Sequence, residues 1–399
     1  MVNELDHILR ESVERQLLSD VPLGFFLSGG LDSSLLVGIT RDLHPNTKFD
    51  CFTIASNMDN SGEGFEDDLP YARNVASYLD VDLHVLPADH KISEQFDHMI
   101  WHLDEPQADP APINVYNISK GAREQGIKVL LGGTAGDDLF SGYRRHQALK
   151  YDQYVEAMPV TLRKVLKKGI HKLSGNKPWL RRLQKLSRDW DKPMEKRMLG
   201  YFNWLPDDEY VFSLFENEIL NGARPSSVYS FFDKILREQS PNLSSLDRLL
   251  YLEMKTFLVD HNLNYTDKMS MAAGVEARVP YLDKELVSFA GKIPTKYKLR
   301  GNETKYILKK VAEKYLPHDV IYRSKTGFGA PIRDWLKNDL KPFVNQRLNK
   351  EHLKKQGIFD PNAVQEMISK NDSGEFDFSY TIWSMLAIQS WLKQFKWSL

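Results

Sequence analysis

The chain has a single cysteine, Cys51, so no internal disulfide framework can brace it, and one thiol fits a reducing, cytoplasmic setting. No apolar run approaches the roughly 18 residues of a membrane-crossing helix, so no membrane span is expected. The first residues, Met1-Val2-Asn3-Glu4-Leu5-Asp6-His7, carry early acids and no apolar core of the secretory type. An excess of one charge is also missing. With 53 basic and 54 acidic residues the net charge is −1, and bulk charge directs the protein neither to nucleic acid nor to membrane. Internal repeats and low-complexity tracts are absent. What remains is ordinary globular material: 399 residues, 42% hydrophobic and 27% charged, enough for two or three domains. Cys51 itself lies in the mostly apolar run Phe49-Asp50-Cys51-Phe52-Thr53-Ile54, which reads as a buried strand with a packed, inert thiol.

The most telling positive feature is Ser28-Gly29-Gly30-Leu31-Asp32-Ser33-Ser34. It follows the apolar run ending at Leu27 and opens the helical pattern Leu35-Leu36-Val37-Gly38-Ile39. Strand, glycine turn, helix start: that order offers free N–H groups and a positive helix end to a phosphate chain. Ser28, Ser33 and Ser34 add hydroxyls, and Asp32 can hold a divalent cation. No lysine follows the glycines as in the loops that transfer a γ-phosphoryl group, so this loop suits gripping pyrophosphate while chemistry proceeds at the α-phosphorus. The plain alternative is a tight turn whose glycines serve geometry alone.

Leu5, Ile8, Leu9, Val13 and Leu17 recur at helical spacing over residues 3–19. Four apolar runs follow, Gly24–Leu27, Cys51–Ala55, Leu83–Leu86 and Ile127–Leu131, alternating with helical patterns near 33–42, 68–79 and 112–125. The alternation predicts an α/β fold with a parallel sheet flanked by helices, its ligands bound beyond the carboxyl ends of the strands. From about residue 150 helical patterns dominate. The expected units are an α/β core over 1–150, a basic helical insertion over 151–245 and a helical region over 246–399 that completes the site. Within the insertion, Thr161 to Trp190 holds ten Lys and Arg against the lone acid Asp189. That stretch reads as a solvated helical face or as an anion-binding surface. The apolar pattern Ile382-Trp383-Ser384-Met385-Leu386-Ala387-Ile388 reads as core.

A second strand runs into glycines and acids at Leu131-Gly132-Gly133-Thr134-Ala135-Gly136-Asp137-Asp138. Asp137 offers a second carboxylate for Mg²⁺ on a polyphosphate, while Asp138 reads as a cap of the next helix. Two later segments are weakly diagnostic alone. Asp267–Asp283 reads as a charged helix leading into a proline turn, and Arg323-Ser324-Lys325-Thr326-Gly327-Phe328-Gly329 as a basic, glycine-rich loop.

Taken together with Asp104-Glu105-Pro106, Val275-Glu276-Ala277-Arg278-Val279-Pro280-Tyr281-Leu282-Asp283 and Lys325-Thr326-Gly327-Phe328-Gly329, the chain resembles the synthetase part of the asparagine synthetase family, an ATP pyrophosphatase type, over nearly its whole length. The resemblance implies a nucleotide α-hydrolase-like fold and a ligase that activates a carboxylate with ATP as an acyl-adenylate. Pyrophosphate leaves, and ammonia attacks to form the amide. It implies that Ser28, Gly29, Gly30, Asp32 and Ser33 hold the phosphates, and that main chain at Leu27, Ile54, Gly132 and Gly133 meets the adenosine. Asp32 and Asp137 would share Mg²⁺, and Lys325 would neutralise the departing pyrophosphate. The partners expected are ATP, Mg²⁺, a small carboxylate and ammonia, with a homodimer left open and nucleic acid not expected.

Two departures from the family pattern stand out. Its glutamine-hydrolysing members begin with a glutaminase domain bearing an N-terminal cysteine, whereas this sequence opens directly into the synthetase region. Ammonia is therefore expected from solution, from a separate glutaminase subunit, or from a domain of a longer protein. Where asparagine-forming members carry Ser-Gly-Glu-Gly-[Ala/Ser]-Asp-Glu, this chain has Thr134 in place of the glutamate that handles the amine's proton. Threonine is no general base at neutral pH unaided. The acceptor is accordingly aspartate or another carboxylate, such as a uronic acid of a surface polysaccharide. An RNA-adenylating pyrophosphatase and a degenerate scaffold are the readings from other classes.

Overall fold

Five short parallel strands form the centre of the fold: β1 (Leu23–Phe26), β2 (Asp50–Ala55), β3 (Asp82–Pro87), β4 (Val129–Leu131) and β5 (Glu276–Arg278). The computed structural model of the protein describes all residues except 56–67, 89–91, 174–177, 203–207, 225–228, 241, 324–330 and 396–399. Strand order is β3-β2-β1-β4-β5, with every neighbouring pair parallel. The first four strands coincide with the four apolar runs. β5 does not, and it corrects the expectation of a charged helix before Pro280. An edge strand of three residues needs only its backbone. Glu276 N–H donates to the Lys128 carbonyl at 2.9 Å, and Gly132 N–H donates to the Arg278 carbonyl at 2.8 Å.

The chain builds β1, β2 and β3 outward in one direction, then returns to place β4 on the other side of β1. The direction reverses between β1 and β4, and a crevice opens there beyond the carboxyl ends of the strands.

Helices cover both faces: α1 (Val2–Leu17), α2 (Leu31–Leu43), α3 (Leu69–Leu79), α4 (Ile92–Leu103) and α5 (Ala111–Glu124). In α1 the predicted stripe is real, with Leu5, Leu9 and Val13 fully buried. They join a core containing Phe25, Leu35, Leu286, Ile307 and Val311, so the first helix is held by the far half of the chain. Each such side chain contributes about 1.5–3 kcal/mol by leaving water. Ser12 Oγ also donates to the Pro280 carbonyl at 2.6 Å. Cys51 is buried in the same core, and burial pushes its thiol pKa up, so it stays protonated.

A second core lies between α4 and a long C-terminal helix, Ser379–Gln394. Trp383 has no exposed surface and meets Phe96 edge-on at 5.0 Å. That apolar helix is core, as its pattern predicts.

Candidate active site

At the β1 side of the crevice, Gly29 adopts φ +70, and a Cβ there would collide with the Ala72 nitrogen and with Tyr71 at the start of α3. Gly30 is extended and opens α2, so the N–H groups of its first turn face the crevice. Ser33 Oγ lies 3.2 Å from Ser28 Oγ and 3.3 Å from the Ser28 nitrogen, and Gly30 N–H donates to Ser28 Oγ at 3.3 Å. These contacts shape the loop but are long. Charge-assisted bonds to phosphate oxygens are shorter and stronger, so exchanging one set for the other is favourable. Arg323 closes the outer side. Its guanidinium pairs with Asp68, lies 4.0 Å over the Tyr71 ring, and donates to the Gly29 carbonyl at 3.4 Å.

On the β4 side, the turn Gly132–Ala135 leads into the short helix α6 (Gly136–Phe140). Ala135 is left-handed, φ 73, a costly conformation for a residue with a Cβ. The turn is pressed against α2: a Cβ on Gly136 would lie 2.6 Å from the Asp32 carboxyl carbon. Asp32 and Asp137 are thereby brought to one point. Lys305 joins them from the C-terminal half, its ammonium bonded to Asp32 and 2.6 Å from Asp137 Oδ1. Burial opposes the charge on Lys305, but Asp137 and Asp32 outweigh it and raise its pKa, so the ammonium persists. Gly142 completes the cradle, since a Cβ there would overlap the Asp137 carboxylate and the Lys305 chain. Beneath it, Tyr281 donates to the Asp32 carbonyl at 3.2 Å. Burial, then the charges of Asp32 and Asp137, push its pKa far up, so Tyr281 is a neutral donor.

This donor set fits Mg²⁺ bound mainly through phosphates. Two convergent carboxylates supply hard oxygen ligands, and among the described residues no group of three or more His, Cys, Asp or Glu forms a closed protein cage. Asp32 and Asp137 are the residues that would hold the ion.

The other residues named from the sequence lie along the same edge. Leu27 follows β1 and donates its N–H to the Phe52 carbonyl at 2.9 Å; Ile54 lies near the end of β2, and Gly132 and Gly133 follow β4. Because β2, β1 and β4 are neighbours, these segments are adjacent. Thr134 is half-buried in the turn before α6. Lys325 lies outside the described residues. Asp138 lies in the first turn of α6, where an acid is expected, and is wholly buried, accepting the Tyr143 hydroxyl at 3.3 Å. Sequence reasoning missed Lys305, Tyr281 and Arg323. Lys305 stands immediately before the helix Tyr306–Ala312, where the dipole disfavours a cation.

Farther along, Asp104 pairs with Lys268 at 2.8 Å, and Glu105 accepts from Asn264. Beside them an open cleft of about 420 Å³ is lined by Glu105, Asp260, Asn264 and Asp267. Its three carboxylates repel an anionic acceptor. Deeper in, His261 Nε2 lies 3.0 Å from Asp109 Oδ2, and Nδ1 lies 3.0 Å from Asn262 Oδ1. Both ring nitrogens face acceptors, which favours the imidazolium. Burial lowers its pKa, but Asp109 overrides burial and the net shift is upward. Asn262 Nδ2 donates onward to Tyr143 Oη at 3.0 Å, linking this dyad to Asp138.

Comparison with known proteins agrees with this architecture. The family model described as asparagine synthase matches residues 4–393. Asparagine synthetase (glutamine-hydrolyzing) 1 of Bacillus subtilis is 30% identical over 392 residues, which cover 98% of this chain and 59% of the relative. A putative asparagine synthetase (glutamine-hydrolyzing) of Mycobacterium tuberculosis is 28% identical, covering 98% of this chain and 57% of the relative. Amidase chyE of Penicillium rubens is 27% identical, with 91% and 57% covered. The chain thus spans less than three fifths of the length of these curated relatives. With its serine-glycine loop, its converging aspartates and a family match over nearly every residue, the chain belongs to the asparagine synthase family.

Proposed function

We propose that this chain is an ATP-dependent, amide-forming ligase that adenylates a carboxylic acid, with aspartate the leading acceptor. The observation that carries the reading is the convergence of Asp32, Asp137 and Lys305 beside the serine-glycine loop, where the sheet changes direction. A carboxylate oxygen attacks the α-phosphorus, the bond to the β-phosphate bridging oxygen breaks, and pyrophosphate departs with that electron pair. Ammonia then attacks the acyl carbon. AMP leaves with the C–O electrons, and the ammonium proton passes to a base or to solvent.

In this scheme Ser28, Gly29, Gly30 and Ser33 grip the β and γ phosphates, and Asp32 and Asp137 would hold Mg²⁺. The ion neutralises phosphate charge when bound. Lys305 and Lys325 meet the charge that accumulates on pyrophosphate, and aimed cations of this kind contribute several kcal/mol in a dry site. Main chain at Leu27, Ile54, Gly132 and Gly133 receives the adenosine.

Thr134 favours a second reading. It gives the amine's proton no carboxylate at the usual place, which suits an acceptor other than aspartate, such as a uronic acid. Relatives named both synthetase and amidase share this region, so family membership leaves the acceptor open. Exchange of labelled pyrophosphate into ATP, run with aspartate and a panel of uronates and other acids, separates the two. Exchange with one acid, and AMP as the nucleotide product, is expected. ADP as product, or silence with every acid, would overturn the proposal.

A further inference from the structure

The basic stretch plays no part in the chemistry above, and its architecture is inverted. It forms two packed helices, Val160–Lys172 and Pro178–Ser187, tied together where Gln184 Nε2 donates to the Leu173 carbonyl at 2.9 Å. A helix on a water-soluble body buries its apolar stripe and exposes its charges. The first of these helices does the reverse. Arg163 and Lys167 turn inward: Arg163 is buried, donating to the carbonyls of Met158 and Glu156 at 2.8 Å each, and Lys167 pairs with Asp191 at 2.7 Å. Leu162, Val165, Leu166 and Leu173, spaced by threes, fours and sevens on one side, are 44%, 67%, 38% and 51% exposed. Lys164, Lys168 and Lys172 run beside them, a turn apart and exposed. On the second helix Trp179 is 57% exposed.

Charge is segregated as well. Residues 161–188 hold ten Lys and Arg and no acid, while the whole chain is net −1, so the remainder is net −11. The helix pair thus carries exposed apolar side chains and a concentration of basic residues in a chain whose remainder is acidic.

We propose that this helix pair is a docking surface for an anionic lipid bilayer, lying in the interface with Leu162, Val165, Leu166 and Trp179 among the acyl chains and the lysines at the headgroups. Aliphatic side chains flanked by a lysine row are what an interfacial helix requires. Among the described residues no helix is long and apolar enough to cross a membrane, so the attachment is peripheral. Nucleic acid offers nothing to the leucine stripe. A two-fold pairing with a second copy would bring like-charged lysine rows together. The acidic remainder of the chain orients the molecule, since only this face is drawn to a negative surface.

The test is cosedimentation of the purified chain with vesicles of phosphatidylcholine alone or mixed with phosphatidylglycerol. Variants are the double changes Val165→Glu with Leu166→Glu, and Lys164→Glu with Lys168→Glu, all at exposed positions remote from the nucleotide loop. Binding is expected to phosphatidylglycerol vesicles only and to weaken with salt. Each double variant should lose it by about tenfold or more, with an unchanged thermal melt and unchanged pyrophosphate exchange. Wild-type protein left in the supernatant would overturn the proposal, as would equal binding to neutral vesicles or variants that bind like wild type. A dimer dissolved by Val165→Glu with Leu166→Glu in sedimentation velocity, without vesicle binding, assigns the face to a second copy instead. An RNA gel shift abolished by the lysine changes, again without vesicle binding, assigns it to nucleic acid.

Discussion

Lys305 holds a left-handed backbone, φ 54, at a helix N-terminus, two placements that disfavour a lysine. The compensation is electrostatic: its ammonium is the one cation bonded to both Asp32 and Asp137 among the described residues. Its raised pKa fixes the sign of the linkage. The contribution to stability is complete below the unfolded lysine pKa and is lost only as pH climbs through the higher folded value, so it is constant around neutrality. Lys305→Met should therefore destabilise the protein by about 3–5 kcal/mol at pH 8. The loss should stay the same down to pH 6, because the lysine contribution is complete throughout that range. Urea melts across that range test this, and pyrophosphate exchange should fall by about two orders of magnitude or more. Ala135 stands where the family pattern has glycine, with φ 73. Ala135→Gly should raise stability by about 1 kcal/mol by removing left-handed strain, measured as a higher urea midpoint with unchanged slope.

Between Ser245–Lys255 and Asn264–Ala272 the chain takes a wide π turn, Phe257–Leu263, and carries His261 on it. Asp109 caps the start of α5 through the Ala111 N–H at 2.8 Å and receives His261 with its other oxygen. The dyad thus fastens the π turn to α5. Because the folded His261 pKa is raised, its contribution is present below the unfolded value and lost as pH rises through the folded one. The other charges facing it are Asp109 and, opposing, Arg145. His261→Gln should lower the melting temperature at pH 6 and differ little from wild type at pH 9. A gap that stays constant across that range would refute the role. At this scale, sequence legibility depended on burial. β1, β2 and β4 carry buried residues between helices, so their apolar runs announced them, and the two glycine loops followed from β1 and β4; β3 is a half-buried edge strand, marked by its run Leu83–Leu86. β5 carries Glu276 and Arg278 on an edge, where the ladder is made by backbone that composition does not reveal. Lys305 was hidden because its partners stand 273 and 168 positions earlier, and no local pattern joins them.

The whole molecule is closed by contacts between its two ends. α1 lies against the segments that carry Tyr281 and Lys305, through Leu5, Leu9 and Val13 on one side and Leu286, Ile307 and Val311 on the other. Ser12 reaches the Pro280 carbonyl, and Arg278 donates to the carbonyls of Gln16 and Leu18 at 2.8 and 2.7 Å. The crevice proposed to take the nucleotide is therefore assembled from loops near residues 30 and 135 and from a segment near 280–305 that the first helix clamps in place. Leu9→Ala removes side-chain volume from the middle of that clamp, far from any phosphate. It should cost about 2–5 kcal/mol, the sum of lost transfer energy and a residual cavity. If the clamp positions Lys305, nucleotide affinity should weaken in the same variant even where it is fully folded, well below its urea midpoint. Titration with a fluorescent ATP analogue at low urea reads this directly. A variant that melts earlier yet binds nucleotide like wild type would show that α1 stabilises the core without setting the position of Lys305.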